Sequence, residues 1–134
     1  MYSLEDINNR MEHSLVSNLG IKVTYVSPTQ IEAVMPVDER TCQPFGFLHG
    51  GASLALAETL AGVGSMLLLG DDEYAVGAEV TGNHVAPAPV GITLKAKAEI
   101  IHQGRSTHLW NVNIYNPEDT LISTVRVLNS IQKH

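Results

Sequence analysis

GGASLALAETLAGVGSMLLLG, residues 50–70, is the longest apolar run in the chain, and its conformation decides the fold. From Ala52 to Leu69 it contains no proline and no run of β-branched residues, while Ala, Leu, Glu and Met are strong helix formers. The composition predicts one long helix. Apolar residues cover most of its circumference, so burial on nearly all sides is expected. The run is long enough to cross a bilayer, but its Gly and Ala content, Glu58 near its middle and the Asp71-Asp72-Glu73 that follows argue against a membrane span. Gly62 and Gly64 cost such a helix about 1 kcal/mol each relative to Ala, which points to close approach by strands or another helix.

Outside this segment the chain reads mostly as strands. Ser3 with Asp6 three residues later signals a helix start, and Leu4, Ile7, Met11 and Leu15 fall at helical spacing before a stop at Gly20. "IKVTYVS" and "TQIEAVMPV" then predict a hairpin split at Ser27-Pro28, with Pro36 marking an edge or exit. Four further strands are expected over 74–85, 90–101, 106–115 and 120–131, separated by "APAP", "HQG" and "NPED". In the second of these, Ile92, Leu94, Ala96, Ala98 and Ile100 face one way, opposite Thr93, Lys95, Lys97 and Glu99. The order helix, two strands, helix, four strands predicts an α+β fold, a long central helix wrapped by an antiparallel sheet of about six strands. No repeat or linker divides residues 1–134 into more than one domain.

A chain of 134 residues is enough for one domain with a real core. Fourteen acidic residues against eight Lys plus Arg give a formal charge of −6, which disfavours generic binding to nucleic acid or anionic lipid. An anionic ligand must find a local basic spot. The single cysteine, Cys42, has no internal disulfide partner, and the N-terminal stretch has neither the basic nor the apolar region of a signal peptide. A cytoplasmic protein is expected.

Glu58 then needs a reason. A buried, unpartnered carboxylate costs several kcal/mol or takes up a proton, so pairing with a cation or lining a wet interface are the structural explanations. Its neighbours suggest chemistry instead. Gly50 and Gly51 sit where the first N–H groups of a helix lack partners and the dipole is positive, so they are able to hold an oxyanion. Gln43 and His49 add donors in the loop ahead, and together these groups polarise a carbonyl for a carboxylate nucleophile or general base. Residues nine apart on a helix differ by about 13 Å along its axis and half a turn around it, so His49 and Glu58 of one chain cannot meet. If they serve one carbonyl, two subunits share the site.

"QPFGFLHGGASLALAE", with Gln43, Gly46, His49, Gly50, Gly51 and Glu58, resembles the hotdog-fold acyl-CoA thioesterases, above all the branch acting on 4-hydroxybenzoyl-CoA and 1,4-dihydroxy-2-naphthoyl-CoA. The likeness continues through "MPVDERT", "VGAEVTGNHV" and "HQGRSTHLW". It implies that Glu58 is the nucleophile or base, that the Gly50 N–H binds the thioester oxygen, and that Gln43 and His49 position the thioester. It further implies that Gly51, Asn83 and His84 lie near the thioester or pantetheine arm and that Arg105, Ser106 and Thr107 meet the CoA phosphates. It implies no cofactor beyond the CoA of the substrate, and a homodimer with shared sites that pairs into a homotetramer. Menaquinone biosynthesis or removal of stalled acyl thioesters is the expected setting. One position departs from the pattern: that branch carries Ser or Thr four residues after the Glu, and here Gly62 stands.

Two rival readings keep the fold and change the chemistry: a hydratase or dehydratase acting on acyl thioesters, and a non-catalytic acyl-CoA binder. Neither HExxH nor a Cys/His cluster is present, so no metal site is expected. His102 and His108, flanking "QGRST", are expected as exposed turn and strand residues, and Trp110 as core or interface.

Overall fold

The computed structural model describes residues 2–134. Two short helices, α1 (Leu4–Arg10) and α2 (Leu15–Asn18), precede strands β1 (Lys22–Val26) and β2 (Gln30–Pro36). The long helix α3 (Gly50–Leu68) follows, and then β3 (Glu73–His84), β4 (Thr93–Gln103), β5 (Thr107–Tyr115) and β6 (Leu121–Lys133). The six strands form one sheet in the order β1-β2-β4-β5-β6-β3, every neighbouring pair antiparallel.

The expected elements are present, with local corrections. The N-terminal helix is two pieces, because His13 takes a left-handed backbone (φ 60) and Ser14 caps the second piece by accepting from the Val16 N–H. The strand expected from residue 90 starts at Thr93, since Gly91 turns the chain at φ 109. Within β4, Leu94, Ala96 and Ala98 are buried and alternate with Lys95, Lys97 and Glu99, as the period-2 pattern requires.

One face of α3 lies on the sheet and buries Leu56, Ala57, Leu60, Ala61 and Val63 against Met35, Leu94, Trp110, Val112 and Val127. The other face is open: Gly51 and Glu58 are exposed, and Ala55, Thr59, Gly62 and Met66 only half-buried. The expectation of burial on nearly all sides therefore does not hold within one chain. At Gly64 the helix touches the sheet so closely that a Cβ would lie 2.3 Å from the Trp110 ring, which is why a glycine stands there.

His108 also departs from expectation, being buried beneath α3 rather than exposed. The Ser65 hydroxyl accepts from the Trp110 indole N–H (3.0 Å) and from Asn129 Nδ2 (3.0 Å), so its own hydrogen is left for His108 Nδ1, 2.8 Å away. His102 is exposed, as expected.

Candidate active site

The start of α3 is set by His49, whose extended backbone (φ −75, ψ 130) ends the preceding loop and whose Nδ1 accepts from the Gly51 N–H at 2.8 Å. That bond leaves the neutral ring with its proton on Nε2. It also occupies Gly51. The Gly50 N–H, first in the helix, has no hydrogen-bond partner among the described residues. A Cβ at Gly50 would lie 2.6 Å from His84 Nε2, so only glycine allows the imidazole to rest on this turn. His84, the last residue of β3, is held in turn by the buried Ser123 opposite it on β6, with Nδ1 and Oγ 2.8 Å apart.

Gln43 belongs to a tight loop in which Gly46 takes φ 87, a conformation that favours glycine. Its Oε1 accepts from the Phe45 N–H at 2.5 Å, which leaves the Nε2 amide hydrogens free to donate outward. Gln43, Gly50, His84 and Ser123 wall a cavity of about 340 Å³. An unpaired N–H at the positive end of a 19-residue helix, with an amide and an imidazole beside it, suits a carbonyl oxygen that is gaining negative charge.

Glu58 does not line that cavity. Eight residues after Gly50, it stands about 12 Å further along the axis. Its carboxylate is exposed, contrary to the buried charge expected, and makes no ion pair or hydrogen bond among the described residues. It rests instead on β3 at Gly77, where a Cβ would come within 2.3 Å of Oε2. Gly77 lies at a register shift in β3, a bulge that opens room for the carboxylate. Gly77 and Ser123 join the candidate site without being marked by the sequence analysis; the one signal the sequence carries is a glycine interrupting the β-like run "YAVGAEV".

Asn83 is exposed on β3 next to His84. Arg105, Ser106 and Thr107 are elsewhere. Arg105 and Ser106 lie in the β4–β5 turn and Thr107 opens β5; the Ser106 carbonyl accepts from Ile131 N at 2.9 Å, and Ile131 pairs with Ala75 near the start of β3. About 30 Å of β3, nine residues, separates that end of the sheet from His84. One chain thus gathers Gln43, Gly50 and His84, with His49 and Asn83 adjacent, but leaves Glu58 midway and Arg105 at the far end. Among the described residues no three His, Cys, Asp or Glu side chains cluster as metal ligands would.

An antiparallel sheet packed around a long helix, with an oxyanion-type pocket at the helix start, defines the hotdog class of acyl thioesterases. A family model described as Thioesterase superfamily matches residues 45–123. The proofreading thioesterase EntH of Cronobacter turicensis is 37% identical over 129 residues, covering 96% of this chain and 93% of that protein. The solved Haemophilus influenzae thioesterase HI1161 superposes with a TM-score of 0.95 at 38% identity, covering 99% of this chain and 92% of that one. A mutant of the Pseudomonas aeruginosa thioesterase PA1618 gives a TM-score of 0.96 at 35% identity, covering 100% and 96%. The chain belongs to the thioesterase superfamily. It is a thioester hydrolase for acyl-CoA-like substrates.

Proposed function

We propose that the protein hydrolyses aromatic acyl-CoA thioesters in a site shared by two chains. The observation that carries this reading is the division of labour along α3: a free first N–H at Gly50, walled by Gln43 and His84, and two turns further on a free carboxylate at Glu58, resting on the β3 bulge at Gly77. Neither half is complete. Two-fold pairing with antiparallel α3 helices would bring Glu58 of one chain to Gly50 of the other, with the axis at the level of Leu54. The open face of α3 and the unpaired outer edge of β3 are the surfaces such a dimer would cover. Dimers then pair into a tetramer, as the resemblance implies.

In this site the thioester carbonyl accepts from the Gly50 N–H and the Gln43 amide. Glu58 adds to the carbonyl carbon directly, or takes a proton from the water that does so. The oxyanion that forms is held at the helix N-terminus, a donor typically worth about 3 kcal/mol. Its collapse breaks the C–S bond, and CoA leaves as the thiolate. In the water route the proton taken by Glu58 then passes to that sulfur; in the direct route water hydrolyses the mixed anhydride left on Glu58, releasing the acid and restoring the carboxylate. A thioester is reactive enough for positioning and a carboxylate to suffice, so the proposed reaction uses no metal or redox cofactor. Arg105 in the exposed β4–β5 turn of the chain that supplies Gly50 gives positive charge for the CoA phosphates on a chain of formal charge −6, and such a reaction suits the cytoplasm.

Release of free thiol from a panel of aromatic and aliphatic acyl-CoAs tests this, with wild type beside Glu58→Ala. The expected result is turnover of aromatic members and a loss of about a hundredfold or more in the variant. Equal rates for the two proteins would remove Glu58 from the chemistry.

A further inference from the structure

Gly62 is a mid-helix glycine that nothing among the described residues requires. Two residues on, Gly64 must be glycine because Trp110 fills the space, but at Gly62 a Cβ would meet no atom of the described residues within 4 Å. It weakens α3 without relieving any clash. Gly62 lines a cavity of about 930 Å³ at the C-terminal end of α3, whose walls include Val26, Met66, Leu67, Tyr74 and Ala75. It also follows Glu58 by one turn, about 6 Å along the axis and 40° around it, so the cavity begins a single turn past the carboxylate.

We propose that the acyl group of the thioester lies in this cavity against the bare backbone of Gly62, which sets the width of acyl group accepted and favours ring-sized and fused-ring groups. This rests on Glu58 being the reacting carboxylate. With the carbonyl between Glu58 and the Gly50 end of the other chain, the acyl group continues past Glu58 towards Leu67. Val26, Met66, Leu67 and Ala75 give it apolar walls. The Tyr74 ring stands beside them, its centroid 4.7 Å from that of the His134 ring, and Arg10, Asp71 and Glu73 contribute charged groups to the lining. A serine or threonine at position 62 would project into this volume beside the carboxylate.

The test compares wild type with Gly62→Ala, Gly62→Val and Gly62→Ser on acetyl-, hexanoyl-, benzoyl- and 1-naphthoyl-CoA. Alongside, dissociation constants are measured for two thioethers that cannot be hydrolysed, S-ethyl-CoA and S-(1-naphthylmethyl)-CoA. Gly62→Val is expected to lower the naphthoyl-to-acetyl ratio of kcat/KM by about tenfold or more, with Gly62→Ala in between and the thioether affinities shifting in the same direction. Equal change across the panel, or an unchanged ratio, overturns the proposal. So does a variant that falls apart into single chains by light scattering, which would mean the glycine serves close approach of two copies. A uniform rise with Gly62→Ser overturns it too, in favour of a missing water-holding hydroxyl. If wild type releases no thiol from any member, the hydrolytic reading of Glu58 fails, while the thioether affinities still decide whether Gly62 sets acyl width.

Discussion

Ser65 makes three hydrogen bonds with one hydroxyl, and this fixes the protonation state of its neighbour. Because it accepts from Trp110 and Asn129, it must donate to His108, whose Nδ1 therefore carries no proton. Burial acts in the same direction, holding His108 below its ordinary value of 6.5. In the unfolded chain His108 takes up a proton as pH falls through that value, and in the folded chain it resists doing so. Its contribution to stability is thus complete above pH 6.5 and declines as pH falls from there towards the lower folded value. Thermal melts from pH 7.5 to 5 should show this decline, and His108→Asn, which keeps an acceptor for Ser65 and does not titrate, should flatten it. Parallel curves for the two proteins would refute the coupling.

At the level of elements, the two interior glycines of α3 are chemically identical and predict opposite outcomes. Gly64→Ala drives a Cβ into Trp110, which is fully buried and held by its own hydrogen bond, so it should cost about 1–3 kcal/mol in urea unfolding. Gly62→Ala adds a methyl to open space in a helix and should stabilise by up to about 1 kcal/mol. Two variants of equal stability would contradict this reading of the packing.

The same helix explains what the sequence made legible. Its length, and the strands around it, follow from periodicity and turn chemistry, and the site loop from the Gln43, His49 and Gly50 spacing. Its exposure does not. An apolar circumference says that a surface is to be covered, without saying whether its own chain or another does so; hence Glu58 was expected buried and is exposed in one chain. His108 misled for a similar reason, because a histidine beside a polar turn carries no sign of the serine, tryptophan and asparagine that meet it from three other segments.

For the whole molecule, the proposed function turns on two halves of a candidate site that lie on different stretches of one helix. β3 adds a 12-residue edge strand with Tyr74 and Val76 exposed, an unusually long unpaired edge for a natural sheet. Both features support the proposed pairing with a second copy. Two inactive proteins, Glu58→Ala and Gln43→Ala, should then rescue each other when unfolded together and refolded at a one-to-one ratio. Random pairing makes half the dimers mixed, and each mixed dimer carries one site with both defects and one intact site, so activity should return to about a quarter of wild type. A refolded mixture no more active than its parents would show that each site is built from one chain, and would contradict the account at its centre.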